Sequence, residues 1–456
     1  MVLVLTVVVL QSISFANYAL TTKTTNIIYG SAPYLTFDGG RTRVTNTAAL
    51  LRISLSDGRK FTPATNNSSF GNPIVLPVAG QSFNDIGMLV PRNTNSIALS
   101  SLIGTPYNYW GDDDGDGQGV NGVTATGSLN LSIYDKDGFR VARNEVLTIC
   151  RAPYRLTLSN SEGRLTTRYG VPNESRFSAG NATYYINPKA APVICYARSS
   201  LGYSTSSPSK GLSATVFEPG KGFLPQSVTP SSYGLNFPTT GANNLDFYLD
   251  IGGVSQALSW ATVSHGGITA TMTDSTRNSV RVTLTGPVAP LFQWGLYPPR
   301  IDKPSLPQVF ELVGRDSSGN AVVKYGFKLK QWFVNAGASR EKSAIISSFC
   351  NRLGYRLPNV KDLTNAYCLG LGGGSCQGAT PSSPDNSFRR HIGAGFFTEW
   401  GVMTEYPNAG FFSFDYYLTN DYYQGNAPGH FLVASNDGHV VAYYSFDEAY
   451  GVCVYP

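Results

Sequence analysis

The chain has 456 residues, 42% of them hydrophobic and only 14% charged, with 27 tyrosines, 24 phenylalanines, 48 glycines and 27 prolines. That length allows two to four domains with cores of their own, and glycine plus proline stay below the share that marks low complexity. A formal charge of +5 with no cluster of five Lys or Arg excludes a nucleic-acid binder, and a surface of Ser, Thr, Asn and Gly in place of Lys and Glu suits an exported β-protein better than a cytosolic enzyme.

The chain opens on the apolar run Met1-Val-Leu-Val-Leu-Thr-Val-Val-Val-Leu10, too short to span a bilayer, followed by Ser14-Phe-Ala16 in the small-x-small form of a signal cleavage site. A secretion signal over 1–16 is the expectation. The alternative is a hydrophobic first strand, because no Lys or Arg precedes Lys23.

From 17 to 200 the pattern is strand and turn. Leu51, Ile53 and Leu55 alternate into Ser56-Asp-Gly58; Leu129, Leu131 and Ile133 alternate into Asp135-Lys-Asp-Gly138; Tyr154, Leu156 and Leu158 alternate into Ser159-Asn-Ser-Glu-Gly163. Period-two apolarity closed by Asp/Asn-Gly turns is the hairpin signature, and a β-sandwich is the economical fold.

Within this region lies Trp110-Gly-Asp-Asp-Asp-Gly-Asp-Gly117. Asp112, Asp114 and Asp116 alternate before a glycine, as in the first half of an EF-hand loop, where oxygens wrap a hard cation. Position 12 would be Val123, which excludes a true EF-hand. The expectation is a structural Ca2+ site held by Asp112, Asp114 and Asp116 and completed by a backbone carbonyl such as that of Gln118; the alternative is a solvated acidic loop.

After the Ser/Gly/Pro-rich stretch 199–210, residues 201–330 form a second β-unit without cysteines, with alternation at Leu245, Phe247, Leu249 and Ile251. Spacing alone predicts a sandwich. Val309–Arg315 and Ala321–Val334 flank Asp316-Ser-Ser-Gly-Asn320 as one hairpin that runs into the last module without a linker, which predicts two domains locked as a rod.

Residues 331–456 start with that strand. A helix then carries Ile345, Ile346, Phe349, Cys350 and Leu353 on one face and ends at Gly354; Tyr355-Arg-Leu-Pro358 and a second helix capped by Asn359 and running to about Tyr367 follow. Glycine, serine and aromatics come next, then strands at Gly438–Tyr444 and Val452–Val454. Six cysteines, an even set in an exported chain, read as three disulfides. The sequence alone does not choose among the pairings; Cys150–Cys195, Cys368–Cys376 and Cys350–Cys453 are favoured because each pair stays within one proposed domain. Metal at Cys368 and Cys376 matches no zinc spacing well.

The order strand, Cys-bearing helix, Leu-Gly-Tyr-Arg-Leu-Pro, second helix, aromatic region and Cys-bearing strand resembles the C-type-lectin-like adhesion module that ends bacterial invasins and intimins. The likeness to the invasin E type adhesion domain extends through Tyr107–Asp116. It implies a mainly β protein of tandem β-sandwich and immunoglobulin-like domains (17–200 and 201–330) followed by an α+β C-type-lectin-like domain (331–456). It also implies a non-enzymatic adhesin that binds a host-cell surface protein or glycan through its C-terminal head, secreted or at the bacterial surface. That family usually carries an outer-membrane barrel upstream, so the chain is expected to be free, exported by a separate invasin-like partner, or part of a longer adhesin.

Enzymatic signals are weak. His265, His391, His430 and His439 form no H-x-x-x-H pair, no G-x-S-x-G elbow occurs, and Gly370-Leu-Gly-Gly-Gly374 does not lead from a strand into a helix. A secreted hydrolase is the remote alternative. Eleven aromatics crowd Phe396–Tyr423, among them Phe412 and Phe414, set among Gly, Asn, Ser and Asp. Aromatics in irregular polar segments are how binding surfaces gain area at low entropic cost, so Trp400, Tyr406, Tyr417 and Tyr423 are the candidate ligand contacts, although a module with few helices also builds its core from such residues. The Glu-Pro-Asn and Gln-Pro-Asp motifs of sugar-binding calcium lectins are absent, which points to a protein partner or to calcium-independent carbohydrate binding.

Overall fold

The computed structural model describes residues 29–44, 47–117, 122–200, 210–289, 300–368, 376–411, 415–423, 429–442 and 448–456. The expected signal at 1–16, the Gln118 carbonyl, Gly370–Gly374, Phe412 and Phe414 lie outside them. The fold is mainly β, with the longest described helix in the C-terminal part. The chain divides into two compact units, Met1–Lys189 and Ala190–Pro456. Among the described residues no helix is long and apolar enough to cross a membrane.

In the first unit, β1 (Ile74–Val75), β2 (Ser96–Ala98), β4 (Ser128–Tyr134), β5 (Tyr154–Asn160) and β8 (Gly180–Asn187) form a five-stranded sheet in the order β1-β8-β5-β4-β2. β3 (Val123–Thr126), β6 (Gly163–Thr167) and β7 (Glu174–Phe177) form a smaller one in the order β7-β6-β3. The alternation in sequence is the cause: Leu129, Leu131 and Ile133 on β4, Tyr154, Leu156 and Leu158 on β5, and Ala182, Tyr184 and Ile186 on β8 are all buried in one core. After β4 the chain reverses at Asp135–Gly138, where Asp135 accepts from the N–H groups of Asp137 and Phe139 and Gly138 takes φ +86°.

The second unit begins with β9 (Val193–Arg198), which joins β10 (Phe217–Glu218), β11 (Gly222–Phe223), β13 (Leu245–Gly252), β15 (Val263–His265), β16 (Ile268–Thr273) and β17 (Ser279–Thr285) in one antiparallel sheet, order β10-β11-β9-β13-β17-β16-β15. The division therefore falls at Lys189/Ala190 and not at residue 200, because the backbone of β9 pairs with β13 and Ala197 is part of the second core. A three-stranded sheet of β14 (Ser259–Trp260), β18 (Gln308–Arg315) and β19 (Ala321–Leu329) holds the long hairpin, turned at Asp316–Asn320.

The C-terminal part is α+β. β20 (Gln331–Asn335) follows β19 after Lys330 alone. It pairs in parallel with β12 (Thr240–Ala242) and antiparallel with β24 (Val452–Tyr455), so one small sheet takes strands from both halves of the unit. Helix α1 (Ser343–Leu353) buries Ile346, Phe349, Cys350 and Leu353 and stops at Gly354, whose φ of +85° is the left-handed conformation that lets its N–H reach back to the last turn. Ile345 is half-buried at the edge of that face. Helix α2 is shorter than the sequence predicts, Val360–Leu363, with the capping box Asn359/Asp362; it ends because Thr364 is extended and Asn365 is turned inward, its side chain bonded to the carbonyls of Pro381 and Arg389. Helix α3 (Phe396–Trp400) and the antiparallel strands β21 (Tyr416–Tyr423), β22 (Gly429–Ala434) and β23 (Val440–Ala442) complete it. Cys350–Cys453 closes a separation of 103 residues and Cys368–Cys376 one of 8; Cys150 and Cys195 are also disulfide-bonded.

Among the described residues, side chains from Ala197 to Val454 join in one hydrophobic core. The stretches 201–330 and 331–456 are thus packed as a single body.

Candidate functional site

The four aromatics singled out as ligand contacts are core residues. Trp400 and Tyr417 are fully buried, Tyr406 is 3% exposed and Tyr423 9%. Trp400 lies edge-on to Phe237, Phe247 and Tyr406 and donates its indole N–H to the carbonyl of Thr240 at 3.1 Å. The Tyr406 hydroxyl donates to the Trp400 carbonyl and accepts from the N–H of Ser200, and burial raises its pKa. Tyr417 packs on Phe397 and Phe411, and Tyr423 on Phe431. The physical reason is the shortage of helices: with α2 and α3 so short, the C-terminal part fills its interior with rings instead of aliphatic helix faces. Tyr422, next along β21 and pointing the other way, is 44% exposed and meets His430 edge-on at 5.3 Å; Tyr367, just past α2, is 51% exposed.

The same unit holds a buried polar joint that belongs to no sequence motif. Glu399 of α3 is fully buried and accepts hydrogen bonds from the N–H and hydroxyl groups of both Thr239 and Thr240 and from the N–H of Gly393, at 2.6–3.1 Å. Beside it Arg390 is 1% exposed; it donates to the carbonyls of Ser200 and Glu399 and to the Ser199 hydroxyl, and lies over the rings of Phe217 and Phe223. Burial pulls the Arg390 pKa down to about 10, still above neutral pH. With every carboxylate lone pair taken by a donor, the arrangement is a structural joint and leaves no acceptor for chemistry.

The histidines are dispersed. His265 packs on Phe310, His391 contacts its neighbour's carbonyl and His430 that of Thr419. His439 stands between the Asp437 carboxylate (2.6 Å) and the Tyr416 hydroxyl (2.8 Å), half-buried. That relay joins β21 to the β22–β23 turn.

In the first unit, Asp112, Asp114 and Asp116 bring carboxylate oxygens within 4.8 Å of one another. Gly117 N–H donates to Asp112 at 2.7 Å and Ser31 N–H to Asp114. Oδ1 of Asp112 and both oxygens of Asp116 are shut off from solvent without a hydrogen-bond partner. Burial, with Asp114 and Asp116 adding to it, raises the Asp112 pKa, while the bond from Ser31 N–H lowers that of Asp114. The wall is made of glycine: a methyl group at Gly30 would collide with Asp114 and one at Gly170 with Asp116. Asp113 points away, to the Tyr34 hydroxyl and the Arg43 guanidinium. Three convergent carboxylates, two of which, Asp112 and Asp116, have unpaired and desolvated oxygens, fit a hard divalent cation.

No protein-family model and no curated protein matches the chain. Among solved structures it is similar to invasin, described as a bacterial integrin-binding protein, at 14% identity and TM-score 0.35, covering 74% of this chain and 52% of that one. It is also similar to a C-terminal fragment of intimin in complex with the intimin-binding domain of its translocated receptor, at 11% identity and TM-score 0.30, covering 75% and 95% of the two chains. A third similarity, to the Bacteroides ovatus mixed-linkage glucan protein SGBP-B bound to a heptasaccharide, has 11% identity and TM-score 0.15, covering 46% and 64%. The chain spans about half the length of the invasin structure.

Proposed function

We propose that the chain is an exported, non-enzymatic adhesin that binds a host-cell surface receptor, protein or glycan, through the exposed face of residues 331–456. The observation that carries this reading is the Glu399 joint. Donors from Thr239 and Thr240 and a sheet shared by β12, β20 and β24 weld the C-terminal part to its neighbour, which suits a body that presents a fixed surface and does not suit a cleft that closes on a substrate. Oxidised cysteines and a surface poor in charge support export, to the medium or the bacterial surface, by way of a separate outer-membrane exporter. Exposed Tyr422 and Tyr367, not the buried rings, are the aromatic contacts. The test is binding of the full chain to host cells with Tyr422→Ala and Tyr367→Ala: a hot-spot loss of about 2 kcal/mol with an unchanged melting curve is the expected result. Wild-type binding by the double variant overturns the assignment.

The same reading gives Asp112, Asp114 and Asp116 a structural Ca2+ ion, which would neutralise oxygens that lack any other partner. Millimolar calcium should raise the melting temperature of the first unit by mass action. Identical curves in calcium and in excess chelator would leave a solvated acidic loop.

A further inference from the structure

The outward face of the five-stranded sheet carries a second feature, unrelated to the acidic loop and to the C-terminal surface. Tyr134 on β4, Arg155 on β5 and Tyr185 on β8 are direct cross-strand partners, so they stand in one row across three strands with the arginine in the middle. All three point away from the core, since their neighbours Ile133, Tyr154, Leu156, Tyr184 and Ile186 are the buried set. A second guanidinium joins from the following hairpin: Arg140 bridges Tyr134 through the backbone, and its Cζ lies 5.8 Å from the Tyr134 ring centre, with that of Arg155 at 5.4 Å. One ring thus holds two arginines.

Both guanidinia are exposed, and neither has an ion-pair partner among the described residues. The outward positions of β4, β5 and β8 carry no carboxylate. The cation–π contact with Tyr134 holds each guanidinium near the ring, so less side-chain entropy remains to be lost when an anion is taken. Next to the row, the Thr157 and Thr183 hydroxyls pair at 3.0 Å, and the positions beyond are again Ser or Asn. The face carries hydroxyl and amide groups in rows and aromatic rings at one end.

We infer that this face is a binding site for an acidic glycan, a sugar bearing a carboxylate. The carboxylate would be gripped by the fork of Arg155, with Arg140 across the Tyr134 ring adding positive charge, an apolar sugar face would lie on Tyr185, and ring hydroxyls would exchange hydrogen bonds with the Ser, Thr and Asn rows. Charge complementarity selects an acidic ligand over a neutral one. The rows of hydroxyl and amide side chains beside the arginines, including the Thr157–Thr183 pair, match the ring hydroxyls of a sugar better than the side chains of an acidic peptide.

The site lies wholly in the first unit, so its test is independent of the C-terminal adhesion reading. The full chain is titrated at physiological salt with sialyllactose and with lactose, its neutral counterpart, by saturation-transfer NMR. The acidic sugar should bind and lactose should bind at least about ten-fold more weakly, as expected for loss of a charge-assisted contact. Arg155→Gln should weaken sialyllactose about ten-fold and Arg140→Gln by less, neither moving the melting curve since both side chains are exposed, and Arg155→Lys should recover part of the loss. The inference is overturned if sialyllactose does not bind, if lactose binds equally, if neither substitution changes the affinity, or if an acidic peptide of equal charge or inorganic sulfate competes as well as the sugar.

Discussion

Replacing Glu399 by glutamine changes one atom and removes one charge, yet the structure makes it a severe substitution. Oε1 accepts from Thr239 N–H, Thr239 hydroxyl and Gly393 N–H; Oε2 accepts from Thr239 N–H, Thr240 N–H and Thr240 hydroxyl. Either orientation of the new amide aims its NH2 at a backbone N–H, that of Gly393 or that of Thr240. The hydroxyls can turn and accept; the backbone donor cannot. One buried N–H is left unpaired, at about 1–3 kcal/mol, and the remaining bonds lose their charge assistance, so the total for Glu399→Gln is about 3 kcal/mol. Glu399→Ala orphans the other donors as well and opens a void, for about 3–5 kcal/mol or more. Urea unfolding of the full chain, followed by the fluorescence of Trp332 and Trp400, both fully buried in this unit, reads the loss as a fall in midpoint of about 1 M or more. A Glu399→Gln midpoint within about 0.2 M of wild type would mean that the joint is not the closed hydrogen-bonded set described, and the rigid-body argument for adhesion would fail with it.

Further outcomes follow from the same packing. Breaking Cys350–Cys453, which spans 103 residues, should cost about 4–5 kcal/mol in the chain-entropy model, so mild reduction should unfold the second unit before the first, as read by limited proteolysis. Trp400→Ala should cost about 3–5 kcal/mol of stability, whereas the exposed Tyr422→Ala should stay within about 0.5 kcal/mol; equal effects in a thermal melt would contradict the burial of one and the exposure of the other. Burial acts against ionisation of Asp362, but hydrogen bonds from Arg356, Gln331 and the Asn359 N–H outweigh it and hold its pKa below 3.8. A folded pKa below the unfolded one means stability that is present above 3.8 and lost as pH falls through the lower, folded value. Asp362→Asn should therefore flatten the acid limb of the stability–pH curve, and an unchanged limb would show that the Arg356–Asp362 pair contributes nothing.

The elements that local chemistry dictates were legible. Alternation at Leu129–Ile133 and Tyr154–Leu158 became paired strands, Asp135 and Asp316 became turn acceptors with glycine behind them, and the face Ile346, Phe349, Cys350 and Leu353 became the buried side of a helix closed by Gly354. Period and turn residue are properties of a few neighbouring positions, so a single sequence suffices to read them. The domain plan was less legible. A Ser/Gly/Pro stretch after residue 199 looks like a boundary, but Val193–Arg198 had already left the first unit to pair with β13, and nothing local distinguishes a strand that ends one sheet from a strand that begins the next.

The functional surface was harder still, for a reason visible in the residues themselves. Around Trp400 and Tyr417, the polar neighbours that make the segment look like a recognition loop are themselves interior: Thr398, Glu399, Thr419 and Ser435 are fully buried, and Asn365 with them. Each carries a hydrogen-bonding group that a helix-poor interior needs to satisfy its irregular backbone, as Asn365 does for Pro381 and Arg389 and Thr419 for Phe431. A mixture of rings and small polar side chains is therefore what either a binding loop or a core built from loops requires. What separates the two is the partner at the other end of each bond, and for Glu399 and Trp400 that partner is Thr240, about 160 positions upstream. The same holds for Asp114 with Ser31 and for Arg155 with Tyr134 and Tyr185. Pairings joined only by the fold become visible once the strands are in register, and the rings proposed as ligand contacts are then chosen by subtraction: Tyr422 and Tyr367, left exposed when the rings around them are taken into the core.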